Sequence, residues 1–252
     1  PDTEVIVVDD GSDDGTAEAV AAAFPWVRCE FLAESVGPAR ARNLGARRAR
    51  GGYLLFLDSD GAVSPGWRQE MLLHASNDLV LLGCAVDYVG GRVQSLPRRA
   101  TFLGKSLKCA PSRANTGPSC NLGVPRSAFE AVGGFDEELP YYFEDSDLCI
   151  RLRRHGCRFR YLPHAVFRHK GSEHKRGNAV RWQERNSTYA MLKAYRRNPA
   201  AWMAFSCLNC LWLAARLVLW GLRGRFVDCG RLVAGWIDAY RQFFAHPRPG
   251  LD

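Results

Sequence analysis

Glu4 to Val8 is a short run rich in β-branched residues that stops at the turn cluster Asp9-Asp10-Gly11-Ser12. Thr16 to Phe24 follows with the composition of an Ala-rich helix, so the chain opens on a strand, a turn and a helix. Val36-Gly37-Pro38 starts a second helix that runs through Arg50 and ends at Gly51-Gly52. Tyr53 to Leu57 is then uninterruptedly apolar and ends in Asp58-Ser59-Asp60. Apolar runs of this length, alternating with helices, predict buried parallel strands of an α/β sheet. Ligands of such sheets sit at the carboxyl ends of the strands, where both acidic clusters fall.

Further along, Leu79 to Val86 reads as a strand before a Gly90-Gly91 turn, within a mixed region over the site from Asp78 to Arg113. Ser127 to Val132 predicts a short helix, and Glu144 to His155 a longer one closed by Gly156. Phe159 to Leu162 and Ala165 to His169 read as two short strands. From Trp182 the character changes to a helix ending at Arg197, a Leu-, Trp- and Ala-rich segment from Ala200 to Leu222, and a last helix from Leu232 to Phe244. Asn209 and Arg216 interrupt the middle segment, which leaves spanning against interfacial helices open and better fits helices lying in a membrane interface; a soluble helical hairpin is the alternative. The expected division is a catalytic domain over residues 1–177 and C-terminal amphipathic or hydrophobic helices over 178–252.

The length of 252 residues, nearly half of them hydrophobic, excludes disordered and fibrous classes. Nine cysteines without paired spacing suit a reducing compartment, and so the cytoplasm. Cys207 and Cys210 form a C-x-x-C on an apolar helix and are expected to be core cysteines. The formal charge of +8 is concentrated: Arg92, Arg98, Arg99, Lys105, Lys108 and Arg113 lie in a stretch without a carboxylate. Such a stretch either faces an anionic partner or is a solvated loop. The opening Pro1-Asp2-Thr3-Glu4 is neither a signal peptide nor a methionine start, and reads as a chain lacking upstream residues.

Asp58 and Asp60 are two apart in extended chain, which points both carboxylates the same way and suits Mg²⁺ or Mn²⁺. Asp9 or Asp10 could accept hydrogen bonds from a base or ribose, while Ser12 or Asp13 could cap the helix from Thr16. No Gly-rich dinucleotide fingerprint or P-loop is present, so phosphate binding falls to a metal and to basic side chains such as Arg42. Glu144-Asp145, after Tyr141-Tyr142-Phe143, suits either simple charge pairing with a helix start or a general base beside a sugar-stacking wall. The dipole of that helix start is expected to keep the Asp145 pKa low, so that the base is weak but fully ionised at neutral pH. His164, His169 and His174, with Cys157 upstream, match no zinc-finger spacing; one histidine joining the acidic triplet is the more economical reading.

Taken in order, six motifs resemble those of family 2 glycosyltransferases: Val7-Val8-Asp9-Asp10-Gly11-Ser12, Gly37 to Gly45, Leu57-Asp58-Ser59-Asp60, Gly133-Gly134-Phe135-Asp136-Glu137, Phe143 to Leu148, and His169 before Gly171-Ser172. The resemblance runs from Glu4 to about Tyr195 and implies a GT-A fold, with a Rossmann-like mixed, mainly parallel sheet flanked by helices and a C-terminal helical appendage. It implies inverting transfer from a nucleotide-diphosphate sugar. Asp9 or Asp10 would hold base and ribose, Arg42 and Asn43 would lie near the donor, and Ser59 would share the donor site with Asp58. Asp58, Asp60 and His169 would hold Mn²⁺ or Mg²⁺, and Asp145 would be the catalytic base, with Glu144 as its neighbour and second candidate. A glycan or lipid-linked acceptor at the inner face of the cell membrane, peripheral membrane contact and no nucleic-acid partner complete the implication. One departure is the absence of the family's usual first strand with its nucleobase-contacting turn. The competing readings are an inactive sugar- or membrane-binding module of the same fold and a nucleotidyltransferase, which would need a Gly-rich phosphate loop not found here.

Overall fold

The protein was analysed as a computed structural model that describes residues 3–87, 96–139, 141–170 and 178–245; the expected Gly90-Gly91 turn, Arg92, Gly171-Ser172 and His174 lie outside them. The chain divides into two compact units, the first holding residues 1–98 and 108–172, the second 99–107 and 173–252.

In the first unit, β1 (Ile6–Asp9) pairs in parallel with β2 (Arg28–Phe31) across the helix α1 (Thr16–Ala23). Gly11 turns the chain beyond β1 with φ 77°, and a Cβ there would stand 2.7 Å from the Glu34 carbonyl carbon. Only glycine fits both the left-handed backbone and that close approach. Neither Ser12 nor Asp13 caps the helix: its N-cap is Gly15, Asp14 accepts from the Thr16 amide at 3.1 Å, and Ser12 turns back to Asp9. Helix α2 (Pro38–Arg48) starts with proline at its first position, where the missing N–H costs nothing. It buries the narrow face Ala39, Ala41, Asn43 and Ala46.

Then come β3 (Tyr53–Leu57), β4 (Gly61–Val63), α3 (Trp67–His74), β5 (Leu79–Asp87), the short β6 (Arg98–Ala100) and β7 (Ser106–Lys108), β8 (Asn121–Pro125), α4 (Arg126–Ala131), α5 (Glu144–Arg154) and β9 (Arg158–His169). The main sheet has the order β3-β8-β5-β9-β4. It is mixed: β5 and β9 are parallel, and β3 runs with them, while β8 and β4 run against them. A continuous apolar run such as Tyr53–Leu57 reports burial on both faces, not direction, and β3 meets β8 antiparallel. Leu54 and Phe56 point into a core with Val80, Leu122, Phe129 and Phe135. The rings of Phe56, Phe129 and Phe135 lie 5.2–5.7 Å apart in a mutually tilted cluster.

The two strands expected at 159–162 and 165–169 are one strand, β9, bent by a bulge: Gly83 faces Leu162 and the next residue, Cys84, faces Val166. All nine cysteines are free thiols.

The second unit holds the hairpin formed by β6 and β7 and the helices α6 (Ala179–Tyr195), α7 (Pro199–Gly221) and α8 (Phe226–Ala245). Asn209 and Arg216 do not interrupt α7. Asn209 is buried, its amide donating to Thr188 Oγ1 at 3.3 Å, and Arg216 donates to Glu184 Oε2 at 2.7 Å. Lys105, from the basic stretch, finds its anionic partner inside the protein, 3.5 Å from the same Glu184 oxygen. The outer side of α7 is apolar, with Leu211, Trp212, Val218 and Leu219 exposed. Cys207 and Cys210 are also exposed there rather than in the core, because the helix turns Phe205 and Asn209 inward at that level. By length and composition α7 could cross a membrane.

Candidate active site

Three strand ends and one helix start build the site. Asp58 follows β3, Asp60 precedes β4, and His169 ends β9. The tight pairing of Gly61 with His169 brings these together. A Cβ at Gly61 would lie 2.3 Å from Phe167 Cζ and 2.4 Å from the Arg168 carbonyl oxygen, so only glycine lets β4 approach β9 this closely. One ligand-type atom from each of Asp58, Asp60 and His169 falls within 4.8 Å of the others. His169 Nε2 stands 3.1 Å from Asp60 Oδ1 and 4.0 Å from Asp58 Oδ2. The first approach has ion-pair distance without hydrogen-bond geometry, and Asp60 Oδ1 is buried with no hydrogen-bond donor. A buried carboxylate oxygen left in this condition is costly unless a cation completes it. Two carboxylates and an imidazole fit a divalent ion. Ser59, between the two aspartates, is exposed.

Arg42 of α2 links this cluster to α5: its guanidinium donates to Asp58 Oδ1 at 2.7 Å and to Glu144 Oε1 at 3.3 Å, and lies over the Phe135 ring. Burial works against its charge, but Asp58, Glu144 and Asp145 together outweigh that and raise its pKa. Asn43 is turned elsewhere: its amide brackets Phe135, donating to the carbonyl at 2.9 Å and accepting from the N–H at 2.8 Å, and donates to Glu137 at 3.0 Å. This residue shapes the Gly133-Gly134-Phe135 loop, where Gly134 has φ 70° and a Cβ would sit 2.6 Å from Asn43 Oδ1.

Asp10 is also committed to its own chain. Its two oxygens accept from Ser35 Oγ, the Val36 amide and the Gly37 amide at 2.7–2.9 Å, which fixes the entry to α2. Ser12 takes Asp9 Oδ1 through its hydroxyl and its amide.

Helix α5 begins under strain. Tyr142 and Phe143 both have left-handed backbones, φ 62° and 77°, immediately before Glu144 and Asp145. Consecutive non-glycine residues in this region persist only where the surrounding structure enforces them, and they concentrate at functional sites. Asp145 accepts from the amides of Ser146 at 2.8 Å and Ser119 at 3.3 Å. Glu144 Oε2 is buried without a partner. Burial and then the Asp145 charge push Glu144 up to about 7, against the pull of Arg42. Asp145 is likewise raised by burial, against Arg42 and the two amides. The low pKa expected for Asp145 is therefore overturned, because desolvation outweighs the helix dipole at this helix start.

The glycosyl transferase family 2 model matches residues 1–133. The chain belongs to that family. A pre-mycofactocin glycosyltransferase of Mycobacterium tuberculosis is 34% identical over 177 residues, covering 66% of this chain and 37% of that protein, so this family 2 chain spans little more than a third of that relative. GalNAc-T7, solved with UDP, GalNAc and Mn²⁺, superposes with a TM-score of 0.59 at 14% identity, over 77% of this chain and 42% of its own. The mannosyltransferase PcManGT of Pyrobaculum calidifontis, solved with GDP-Man and Mn²⁺, gives 0.56 at 18% identity, over 94% and 77%. These likenesses show the fold of the family 2 chain, which is GT-A.

Within that fold the segment Ser119-Cys120-Asn121 joins the site, although no motif marks it. The Ser119 amide meets Asp145. Burial, with Asp58 and Asp145 nearby, pushes the Cys120 thiol up to about 12, so it is a neutral filler between the acids. His164 is exposed in the bulge of β9 and Cys157 lies in the core, so neither joins His169.

Proposed function

We propose that this chain is an inverting glycosyltransferase, moving a sugar from a nucleotide diphosphate to an acceptor hydroxyl of a cell-envelope or lipid-linked glycan. The observation that carries this reading is the Arg42 bridge. One guanidinium joins the strand-end carboxylate Asp58 to the strained helix start with Glu144 and Asp145. A donor's leaving group and an acceptor's proton need partners on opposite sides of one anomeric carbon. Asp58, Asp60 and His169 would hold the ion, and the imidazole among oxygen ligands favours Mn²⁺ over Mg²⁺. Bound there, such an ion offsets charge on the departing diphosphate.

The residues divide the remaining work. Asp9, with Oδ2 outside its bonds to Ser12, is the better of the two early aspartates for a ribose hydroxyl, and Asp10 holds the loop beside it. Arg42, Asp58 and Ser59 face the donor, while Asn43 supports it through the Phe135 loop. The acceptor oxygen bonds to the anomeric carbon as the bond from that carbon to the diphosphate oxygen breaks. The nucleoside diphosphate leaves with the electron pair, and Asp145 takes the acceptor's proton. Its raised pKa makes it a stronger base than an ordinary aspartate.

Asp145→Asn keeps the shape and one of the two amide contacts, from Ser119 or Ser146, while removing basicity, so turnover should fall roughly a hundredfold or more with donor affinity nearly intact. Normal turnover in that variant with a dead Glu144→Gln would move the role to Glu144. A wild-type chain that binds Mn²⁺ and nucleotide without turning over any nucleotide sugar would be a binding module of the same fold.

The exposed apolar side of α7 and the cationic residues of the second unit favour attachment at the cytoplasmic face of an anionic membrane. Flotation with phosphatidylglycerol vesicles should show binding that weakens with salt. Binding that resists salt and needs detergent for release would mean insertion instead.

A further inference from the structure

Resting on the reading of Asp58, Asp60 and His169 as metal ligands, we infer that Asn121 is the positioning residue that sets His169 against the two aspartates. Its backbone and side chain reach opposite halves of the cluster. Through the backbone, Asn121 pairs with Leu57 of β3, the residue before Asp58. Its side chain, completely buried, enters the bulge between β5 and β9. There Nδ2 donates to the Cys84 carbonyl at 3.0 Å and to the Ala165 carbonyl at 2.8 Å, one on each strand. Oδ1 accepts from Trp67 Nε1 at 2.9 Å. Indole N–H only donates and the two carbonyls only accept, so the partners fix which end of the amide is oxygen. Three hydrogen bonds satisfy a side chain that no water reaches.

The bulge decides where His169 falls. Between Gly83 and Cys84 the facing residue jumps from Leu162 to Val166, so Pro163, His164 and Ala165 are skipped. In an unbroken ladder Cys84 would face Pro163, Asp87 would face Val166, and His169 would lie about 10 Å farther along β9, three residues at strand rise. A shift by an odd number also turns every later side chain to the other face of the sheet. His169 reaches Gly61 and Asp60 only because the skip occurs. Asn121 ties the carbonyls on both sides of that skip. Gly83 admits it: a Cβ there would lie 2.2 Å from the amide carbon and nitrogen of Asn121. Val166, the first residue paired after the skip, then accepts from the Ser64 amide at 2.9 Å and leads β9 onto β4.

Outer residues that orient metal ligands typically change affinity 10–100-fold when removed. Mn²⁺ binding and pulsed electron paramagnetic resonance of the bound ion test the role, since a coordinated imidazole gives ¹⁴N modulation. The wild-type chain should show this modulation and His169→Ala should lose it; if the wild type lacks it, the ligand reading itself fails, whatever Asn121 does. Asn121→Ala should remain folded by near-ultraviolet circular dichroism, bind Mn²⁺ at least tenfold more weakly and lose the ¹⁴N modulation. Val132→Ala, a core truncation outside the β5, β8 and β9 ladders, should keep both. Affinity within twofold of wild type with the modulation intact in Asn121→Ala overturns the inference. Should that variant fail to fold, Trp67→Phe decides, since it frees Oδ1 but leaves both strand contacts. About threefold weaker binding with reduced modulation supports the role, and no change in either overturns it.

Discussion

Strand β3 of the first unit turns Leu54 and Phe56 inward and delivers Asp58 and Asp60 at its end, whereas α7 of the second turns Asn209 and Arg216 inward and Leu211, Trp212, Val218 and Leu219 outward. Two segments of similar apolarity are thus arranged oppositely. The first unit gathers its polar groups at a sheet end, where burial raises Glu144 and Asp145. The second buries Glu184 with Lys105 and Arg216, which ties helices and hairpin together and leaves apolar side chains as its outer face. Burial shifts the acids of one unit and pairs the acid of the other with two cations.

The sharpest break of this contrast is Glu184→Ala. It leaves Lys105 and Arg216 facing each other without their carboxylate, and both keep about a quarter of their surface in solvent. Loss of one partner of a buried pair typically costs 3–5 kcal/mol; partial solvation puts the expected loss near about 3 kcal/mol of unfolding free energy in urea. Chemistry in the first unit should persist as long as the chain stays folded. Asp60→Ala is the counterpart: unchanged stability within about 1 kcal/mol, but Mn²⁺-dependent donor binding weakened about a hundredfold, roughly 2.7 kcal/mol, by calorimetric titration. Unchanged Mn²⁺ and nucleotide affinity in that variant would remove the metal centre from the proposal.

A smaller effect separates the units by pH. Glu144 is raised from 4.5 to about 7, so the folded state binds a proton more tightly than the unfolded chain. Its contribution to stability is full below pH 4.5 and is lost as pH rises through about 7. Between pH 5 and pH 7 the loss is on the order of 2 kcal/mol, and Glu144→Gln should reduce that slope in thermal unfolding series, leaving the part contributed by the likewise raised Asp145. An unchanged slope after the substitution would mean that Glu144 does not carry it.

How much of this the sequence disclosed follows from what each segment answers to. Tyr53–Leu57, Leu79–Asp87 and Glu144–Arg154 were legible because burial of long apolar or amphipathic stretches leaves a periodic trace. Strand β4, only Gly61-Ala62-Val63 and exposed throughout, was not, since it exists by virtue of β9 and of the Cβ that Gly61 lacks. Strand β2 and helix α3 were missed for similar reasons of length and weak pattern, and β9 was split because a bulge interrupts periodicity without ending the strand. Within the site, Asp58, Asp60 and His169 were readable from position and motif, and they do meet. Asn121 was not, because its three partners lie on three other elements. The sign of the Asp145 shift was misread because a helix end is visible in sequence and desolvation is not.

The paired left-handed residues before α5 carry a warning for anyone seeking a hardier version of this protein. A search for stabilising substitutions would settle early on Phe143, since glycine there relieves a backbone that an L side chain rarely adopts. The same change would let the first turn of α5 wander and release Glu144 and Asp145 from the spot where Arg42 and Ser119 hold them. If Asp145 is the base proposed above, melting temperature and turnover are set against each other at one residue, and improvement in the first is no guide to the second.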